Sequence, residues 1–177
     1  LCNTKYLAFL DSDDFWDKGK LRDQINFMSK ANFQITYCDY YFFRENQKEN
    51  IINKTNVPML FNLSTFMNNS SINTSTLIVE KSIIGNTRFK KIPLLEDYIF
   101  KCDLFRKGLS AHKLNKCNTA YRLTEKTRSS SKIKNLFTLW NLNKKYNKLN
   151  FFRNLISVTC ISLNSLKKYG LKKYKQN

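Results

Sequence analysis

A continuous apolar run that ends abruptly in acidic residues constrains the fold of this chain more than any other feature. Residues 6–10 are all apolar or aromatic, and Asp11, Asp13, Asp14 and Asp17 follow directly. A run without polar alternation is typical of a strand covered on both faces of an α/β sheet. In such sheets, ligands gather at the carboxyl ends of the strands. We therefore expect a central strand over 6–10 that carries the acids into a binding site.

Helical and strand patterns alternate along the rest of the chain. Apolar periodicity predicts helices over 20–30, 64–69 and 96–107 and from Lys132 onward. β-Branched and aromatic residues predict strands over 35–43 and 75–79, with a last short strand over 120–123. This alternation indicates an α/β fold with a mostly parallel sheet flanked by helices. A length of 177 residues with 42% hydrophobic content fits one folded domain.

The formal net charge of +18 is concentrated at the C-terminal end. Residues 1–125 hold 18 Lys or Arg and 13 Asp or Glu, whereas residues 126–177 hold 13 Lys or Arg and no acid. A basic segment of this kind predicts an anionic partner, either a membrane surface or a nucleic acid. The alternative is a merely solvated basic face. No stretch reaches the roughly 20 apolar residues of a membrane-spanning helix.

The five cysteines show none of the paired spacings of a zinc site or a disulfide framework, and His112 is the single histidine. Scattered cysteines favour reduced thiols in the cytosol.

The acidic cluster itself suggests a divalent cation, because like charges packed together are costly without one. In an extended segment Asp11 and Asp13 lie on the same side, so both can approach one hard ion whose other ligands are water and phosphate. Mg²⁺ or Mn²⁺ held there would neutralise charge on a departing diphosphate. The alternative is that Ser12, Asp13 or Asp14 caps the helix that follows.

The segment Tyr6–Trp16, with Lys20, Leu21 and Gln24 after it, resembles the central signature of family 2 glycosyltransferases, which have the Rossmann-like GT-A fold. The resemblance implies that Asp13 is the direct metal ligand, with Asp11 beside it. It also implies that Asp14 lies at the donor's diphosphate, and we expect Trp16 to stack on substrate near the metal.

A second region, Asn73–Val79 followed by Leu95–Tyr98, resembles the family's acceptor-side strand and its Glu-Asp motif. An acceptor hydroxyl becomes a good nucleophile only as its proton is removed. By resemblance, Asp97 is the catalytic base and Glu96 shapes the site. The alternative is structural, because acids at a helix start are stabilised by the helix dipole.

A third region, Tyr121–Thr124 with Arg128 and three serines after it, resembles the family's strand that ends in Tyr-Arg before a flexible loop. Many relatives have His where Thr124 stands. The resemblance implies that Arg122 and Arg128 bind diphosphate oxygens, to which a guanidinium can donate two hydrogen bonds.

Taken as a whole, the resemblance implies an enzyme that moves a sugar from a nucleotide-diphosphate donor to an acceptor hydroxyl with inversion. The expected role is cell-surface polysaccharide or glycolipid synthesis, with a saccharide or lipid-linked acceptor. A cytoplasmic location follows, with the basic segment contacting the cytoplasmic face of the membrane and no nucleic acid partner. The alternatives are a basic nucleic-acid-binding module and an inactive truncated remnant.

The resemblance also divides the chain. Residues 1–125 match a partial GT-A domain that carries the metal, acceptor and base portions, and 126–177 form a basic helical extension. The family's first strands, which hold the base and ribose of the donor, precede the acidic motif. Since the chain starts at Leu1, we expect those strands to be missing and the chain to be inactive alone.

Overall fold

The computed structural model of the chain describes residues 3–43, 53–123 and 132–169, which form a seven-stranded sheet with flanking helices. The strands are β1 (Tyr6–Ala8), β2 (Phe15–Trp16), β3 (Ile35–Phe43), β4 (Asn53–Lys54), β5 (Leu60–Phe61), β6 (Ile78–Glu80) and β7 (Ala111–Arg122). The helices are α1 (Lys20–Ala31), α2 (Leu63–Asn68), α3 (Lys81–Ile84), α4 (Glu96–Phe105), α5 (Lys132–Lys145) and α6 (Phe151–Tyr169). These elements confirm the α/β class.

The sheet is mixed, with the strand order β1-β6-β3-β7-β2, while β4 pairs with β3 and β5 pairs with β7. Among the described strands only β3 and β7 run parallel, so the expectation of a mostly parallel sheet is wrong. Parallel neighbours need a long crossover, and the chain between β3 and β7 provides one. The other pairings are antiparallel and mostly involve strands of two or three residues. Strands so short leave no readable pattern in the sequence.

Strand β1 lies at the edge of this order rather than at its centre. It pairs with β6, and the described residues place no strand on its other side. Leu7 and Phe9 nevertheless pack against the hydrophobic core, while Leu10 is exposed. The expectation of a central strand is therefore wrong for the described sheet, and the apolar run reflects burial of one face.

Strand β3, which the sequence predicted over the same residues, is the most deeply buried strand. On one face, Tyr37 belongs to the aromatic core shared with α2, α4 and α5. On the other face, Gln24 of α1 donates a hydrogen bond to the Thr36 hydroxyl at 3.0 Å. Helices on both sides thus hold β3 and its neighbours in a fixed position.

The helical structure predicted from Lys132 onward is confirmed, and both helices pack onto the rest of the protein. Leu139 and Leu142 of α5 belong to the hydrophobic core, and the Tyr98 hydroxyl of α4 donates to Asn143 Oδ1 at 2.8 Å. The domain boundary at residue 125 remains a prediction. Within the three described ranges, no helix combines the length and apolarity needed to cross a bilayer.

Candidate active site

The acidic residues form a turn directly after β1. The Asp14 backbone N–H donates to the Asp11 carbonyl at 3.1 Å. The buried Asp14 carboxylate accepts hydrogen bonds from the Ser75 hydroxyl at 2.6 Å and from the Arg122 backbone N–H at 3.1 Å. Ser75 Oγ in turn accepts from the Asp11 N–H at 3.0 Å. One serine therefore fixes both ends of the acidic turn.

The helix-capping alternative for these acids is wrong. Helix α1 begins at Lys20, its N-cap is Gly19 with φ of 91°, and no side chain caps it. A positive φ of this size favours glycine, which explains why that residue precedes the helix. The acids in the turn are thus not used to start α1.

Ser75 lies in a 3₁₀ turn, Thr74–Thr76, where the sequence predicted the start of a strand. The Asn73 side chain accepts from the Ser75 N–H at 2.6 Å, which favours a turn over an extended chain. Trp16 Nε1 donates to the Ser75 carbonyl at 2.6 Å, and Lys20 Nζ lies 4.2 Å from the Trp16 ring centre. Trp16 therefore anchors the turn, and its contact with substrate remains a prediction.

Asp97 lies in the first turn of α4, next to Glu96, so the helix-dipole interpretation also applies to both acids. Its Oδ2 accepts from Lys101 Nζ at 2.8 Å and from the Thr74 hydroxyl at 3.3 Å. Burial alone would raise the pKa of Asp97, but Lys101 holds that pKa below its usual value. Because 43% of the side chain stays exposed, an ionised and oriented carboxylate can still reach a ligand.

Lys101 is a site residue that the sequence reading missed. It is buried, and its ammonium donates to the Ile72 carbonyl and the Thr74 hydroxyl, both at 2.9 Å, as well as to Asp97. The bonds to Ile72 and Thr74 hold α4 against the 3₁₀ turn and the residues before it, whereas the bond to Asp97 lies within α4. The spacing of four residues between Asp97 and Lys101 was the available signal, since such pairs meet on one helix face.

The two acidic motifs meet in one pocket. Asp11 and Asp97 both line it, together with residues 70–74, Tyr121 and Lys168 of α6. Burial raises the pKa of Asp11, the Lys101 charge opposes that rise, and the nearby negative charge of Asp97 adds to it. The carboxylates are thus close enough to influence one another although they are far apart in the sequence.

The predicted donor-side residues lie around the same turn. Asp13 is exposed, and its carbonyl accepts from Arg122 Nε at 2.9 Å, which places Arg122 beside the acids. Burial raises the pKa of Asp14 to about 6, and both its oxygens accept internal hydrogen bonds. Contacts of Arg122 and Asp14 with a donor remain predictions, and Arg128 lies outside the described residues.

No group of three or more His, Cys, Asp or Glu side chains within the described ranges is arranged to hold a metal ion by itself. Among the acids of residues 11–14, Asp14 has both carboxylate oxygens engaged in internal hydrogen bonds. Asp11 and Asp13 are therefore the two whose carboxylates could bind a metal ion. Two carboxylates suit Mg²⁺ or Mn²⁺, because such ions keep several waters and take further oxygens from substrate phosphates. The donor set therefore fits a metal that binds together with a diphosphate.

The chain is similar in sequence to known glycosyltransferases. The family model described as glycosyl transferase family 2 matches residues 1–109. The chain is 31% identical over 141 residues to the UDP-Glc:alpha-D-GlcNAc-diphosphoundecaprenol beta-1,3-glucosyltransferase WfaP of Escherichia coli. The aligned region covers 79% of this chain and 54% of WfaP. The chain is 26% identical over 164 residues to the putative teichuronic acid biosynthesis glycosyltransferase TuaG of Bacillus subtilis, covering 93% and 65%. The chain thus spans roughly half to two thirds of these relatives.

Among solved structures, S. aureus TarS 1–349 in complex with UDP-GlcNAc superposes with a TM-score of 0.59. The match covers 99% of this chain and 53% of TarS 1–349, at 13% sequence identity. At that identity the likeness concerns the fold alone, and it confirms the expected GT-A-like architecture.

Proposed function

This chain belongs to glycosyl transferase family 2, and on that basis we propose that it is part of an enzyme that moves a sugar from a nucleotide-diphosphate donor to an acceptor hydroxyl with inversion. The observation that carries the proposal is the pocket that Asp11 and Asp97 share. Sugar transfer needs negative charge stabilised on the leaving side and a base on the attacking side. A pocket lined by one acid from each motif can meet both needs, with Asp11 helping to hold a cation that would face the diphosphate and Asp97 accepting the proton.

Asp97 is the proposed catalytic base. It takes the proton of the acceptor hydroxyl as that oxygen bonds to the anomeric carbon, while the bond from that carbon to the diphosphate oxygen breaks. Lys101 and Thr74 hold one carboxylate oxygen and so orient the group. The lowered pKa keeps Asp97 ionised at neutral pH, so it is ready to accept a proton. Glu96, its neighbour in the first turn of α4, shapes the acceptor side.

Asp13 and Asp11 are the proposed ligands of Mg²⁺ or Mn²⁺, which when bound would stabilise charge on the leaving diphosphate. Asp14 holds the turn in place through Ser75 and through the Arg122 backbone. The Arg122 side chain lies beside the turn, where a guanidinium can reach diphosphate oxygens. We assign the same role to Arg128 and a substrate contact to Trp16 from the family resemblance.

The substrate class follows from the relatives. WfaP is named for transfer from UDP-Glc to a GlcNAc-diphosphoundecaprenol, and TuaG for teichuronic acid biosynthesis. We therefore propose a nucleotide-sugar donor and a lipid-linked acceptor in cell-surface polysaccharide synthesis, at the cytoplasmic face of the membrane. The positive charge of residues 126–177 supports a peripheral membrane contact there. Cys38, Cys102, Cys117 and Cys160 are free thiols, which is consistent with a reducing compartment.

The test replaces the two acids separately in the complete enzyme. Asp97→Asn should lower kcat by about 100-fold or more, the range expected for loss of a general base. Asp13→Asn should raise the Mn²⁺ concentration needed for half-maximal activity. Asp103→Asn, a substitution near the end of the same helix α4 and outside the pocket, is the matched control. The readout is nucleoside diphosphate release in the presence of acceptor.

Near-normal turnover of Asp97→Asn would remove Asp97 as the base. Activity that depends on neither Mg²⁺ nor Mn²⁺, and that survives Asp13→Ala, would contradict the metal assignment while leaving the transferase assignment intact.

A further inference from the structure

Helix α6 is apolar on the side that faces away from the protein. Phe152, Leu155, Ile156 and Leu163 recur at helical spacing, and all four are exposed, Phe152 by 74%. The opposite side of the helix is the one that packs inward, through the buried Asn154 and Ser157. An amphipathic helix on a protein surface normally presents polar residues to water, so this reversal needs an explanation.

The apolar surface continues onto α5. Phe137 is 67% exposed and lines a shallow groove with Leu136 and Trp140. Trp140 packs edge to face against Phe151 at 5.5 Å, and Phe151 packs against Phe152 at 5.7 Å. The two helices thus share one surface, which we name the α5–α6 face. It consists of Leu136, Phe137, Trp140, Phe151, Phe152, Leu155, Ile156 and Leu163.

The charged residues of α5 and α6, the two helices that carry this face, are all positive. Arg153 follows Phe152 directly, Lys167 lies one helical turn beyond Leu163, and residues 126–177 contain no acid at all. A second copy of the same face would bring like charges together, which disfavours self-association. An anionic lipid surface matches both properties, because it attracts Lys and Arg and accepts Trp, Phe and Leu at the level of the headgroups.

We propose that the α5–α6 face inserts into the headgroup region of an anionic bilayer and holds the active-site pocket at the membrane surface. In this contact, apolar side chains enter the headgroup region, in addition to the electrostatic attraction between the basic segment and the lipid. Its purpose, delivery of a lipid-linked acceptor, rests on the proposed function. Helix α6 links the face to the pocket. It carries the apolar residues along its length, and Lys168 in its last turn lines the pocket together with Asp97.

The test measures binding of the chain to vesicles of phosphatidylcholine with and without 25% phosphatidylglycerol, by flotation. Anionic vesicles should bind the chain, and brominated lipids should quench its tryptophan fluorescence unless Trp140 is replaced by Phe. The double substitution Phe152→Asp and Ile156→Asp should weaken binding by about tenfold or more. Met59→Asp, at an exposed apolar residue outside the face, should leave binding unchanged. Circular dichroism checks that each variant is folded.

Three results would overturn the proposal. These are no binding to anionic vesicles, binding that the double substitution leaves unchanged, and a dimer in light scattering that the double substitution dissociates. The proposed function is tested apart from this, with a water-soluble acceptor analogue and the complete enzyme. There the double substitution should retain turnover, whereas Asp97→Asn should lose turnover and still bind vesicles.

Discussion

Lys101 is the residue whose removal best tests the electrostatics of the site. Its ammonium lowers the pKa of Asp97 against the effect of burial, so Lys101→Met should raise that pKa. Asp97 must be ionised to accept a proton, so the acidic limb of the kcat/KM profile should move to higher pH. Activity is then lost progressively as the pH falls through the raised pKa, while activity at high pH suffers less.

The measurement is a pH–rate profile of the complete enzyme. Lys90→Met removes another lysine paired with an aspartate, Asp103 at 3.5 Å, but away from the pocket, and should leave the profile in place. A Lys101→Met profile that falls equally at every pH would mean that Lys101 acts only on structure.

Ser75 tests the geometry of the acidic turn. It is fully buried, and its hydroxyl joins the Asp11 backbone to the Asp14 carboxylate. Ser75→Ala leaves both groups without this partner, so the free energy of unfolding should fall by about 1–3 kcal/mol. Ser82→Ala, which removes an exposed hydroxyl bonded to Glu80, should change stability little. Urea unfolding measures both, and equal stabilities would contradict the role of Ser75.

At the scale of elements, a buried polar network joins α4, α5 and α6. Asn143 of α5 accepts from the Tyr98 hydroxyl at 2.8 Å and from Asn147 Nδ2 at 2.7 Å, and it donates to Ser157 Oγ at 3.0 Å. Ser157 donates in turn to the Met67 carbonyl of α2 at 2.5 Å. The C-terminal helices are thereby bonded to α4, which carries Asp97, and to α2.

We predict that Asn143→Ala lowers the free energy of unfolding by about 2–3 kcal/mol, because it leaves several buried polar groups unpaired. Asn141→Ala, at an exposed position of the same helix, is the matched control and should have little effect. If thermal unfolding of Asn143→Ala matches that of the control, α5 and α6 form an appendage rather than part of the domain core.

At the scale of the whole molecule, the chain spans 53–65% of the lengths of the relatives and the solved structure described above. Among the described residues, the outer edge of β1 has no neighbouring strand, although β1 leads into the acidic turn. We predict that the 177-residue chain alone, supplied with Mn²⁺ and mixed sugar nucleotides, releases nucleoside diphosphate at a rate close to the background. A longer protein with residues before Leu1 is the control, and robust turnover by the short chain would contradict the prediction.

The charge of the whole molecule leaves nucleic-acid binding as the rival function, because residues 126–177 would attract phosphates. Nucleic-acid binding does not explain why Asp11 and Asp97 line one pocket, because carboxylates repel phosphates. A gel shift that persists at physiological salt would favour the rival.

The sequence by itself determined the family, the acidic motifs and the longer elements. Strand β3 and helices α1 and α4 lie within a few residues of their predicted bounds, because a run of β-branched and aromatic residues or a helical period, sustained over nine or more residues, is a local property. Asp13 and Asp97 could be proposed as site residues for the same reason, since their motifs consist of neighbouring residues.

Only the tertiary structure decided which of these residues meet. Ser75 contacts Asp11 although the two residues are 64 positions apart in the sequence. Lys168, in the last turn of α6, lines the same pocket as Asp97. Strand direction was also decided at this level, because two-residue strands have no readable period and take their direction from their neighbours. The tertiary structure also decided that the apolar side of α6 faces outward. Periodicity shows that a helix has an apolar stripe, but only packing shows which side of the helix the core covers.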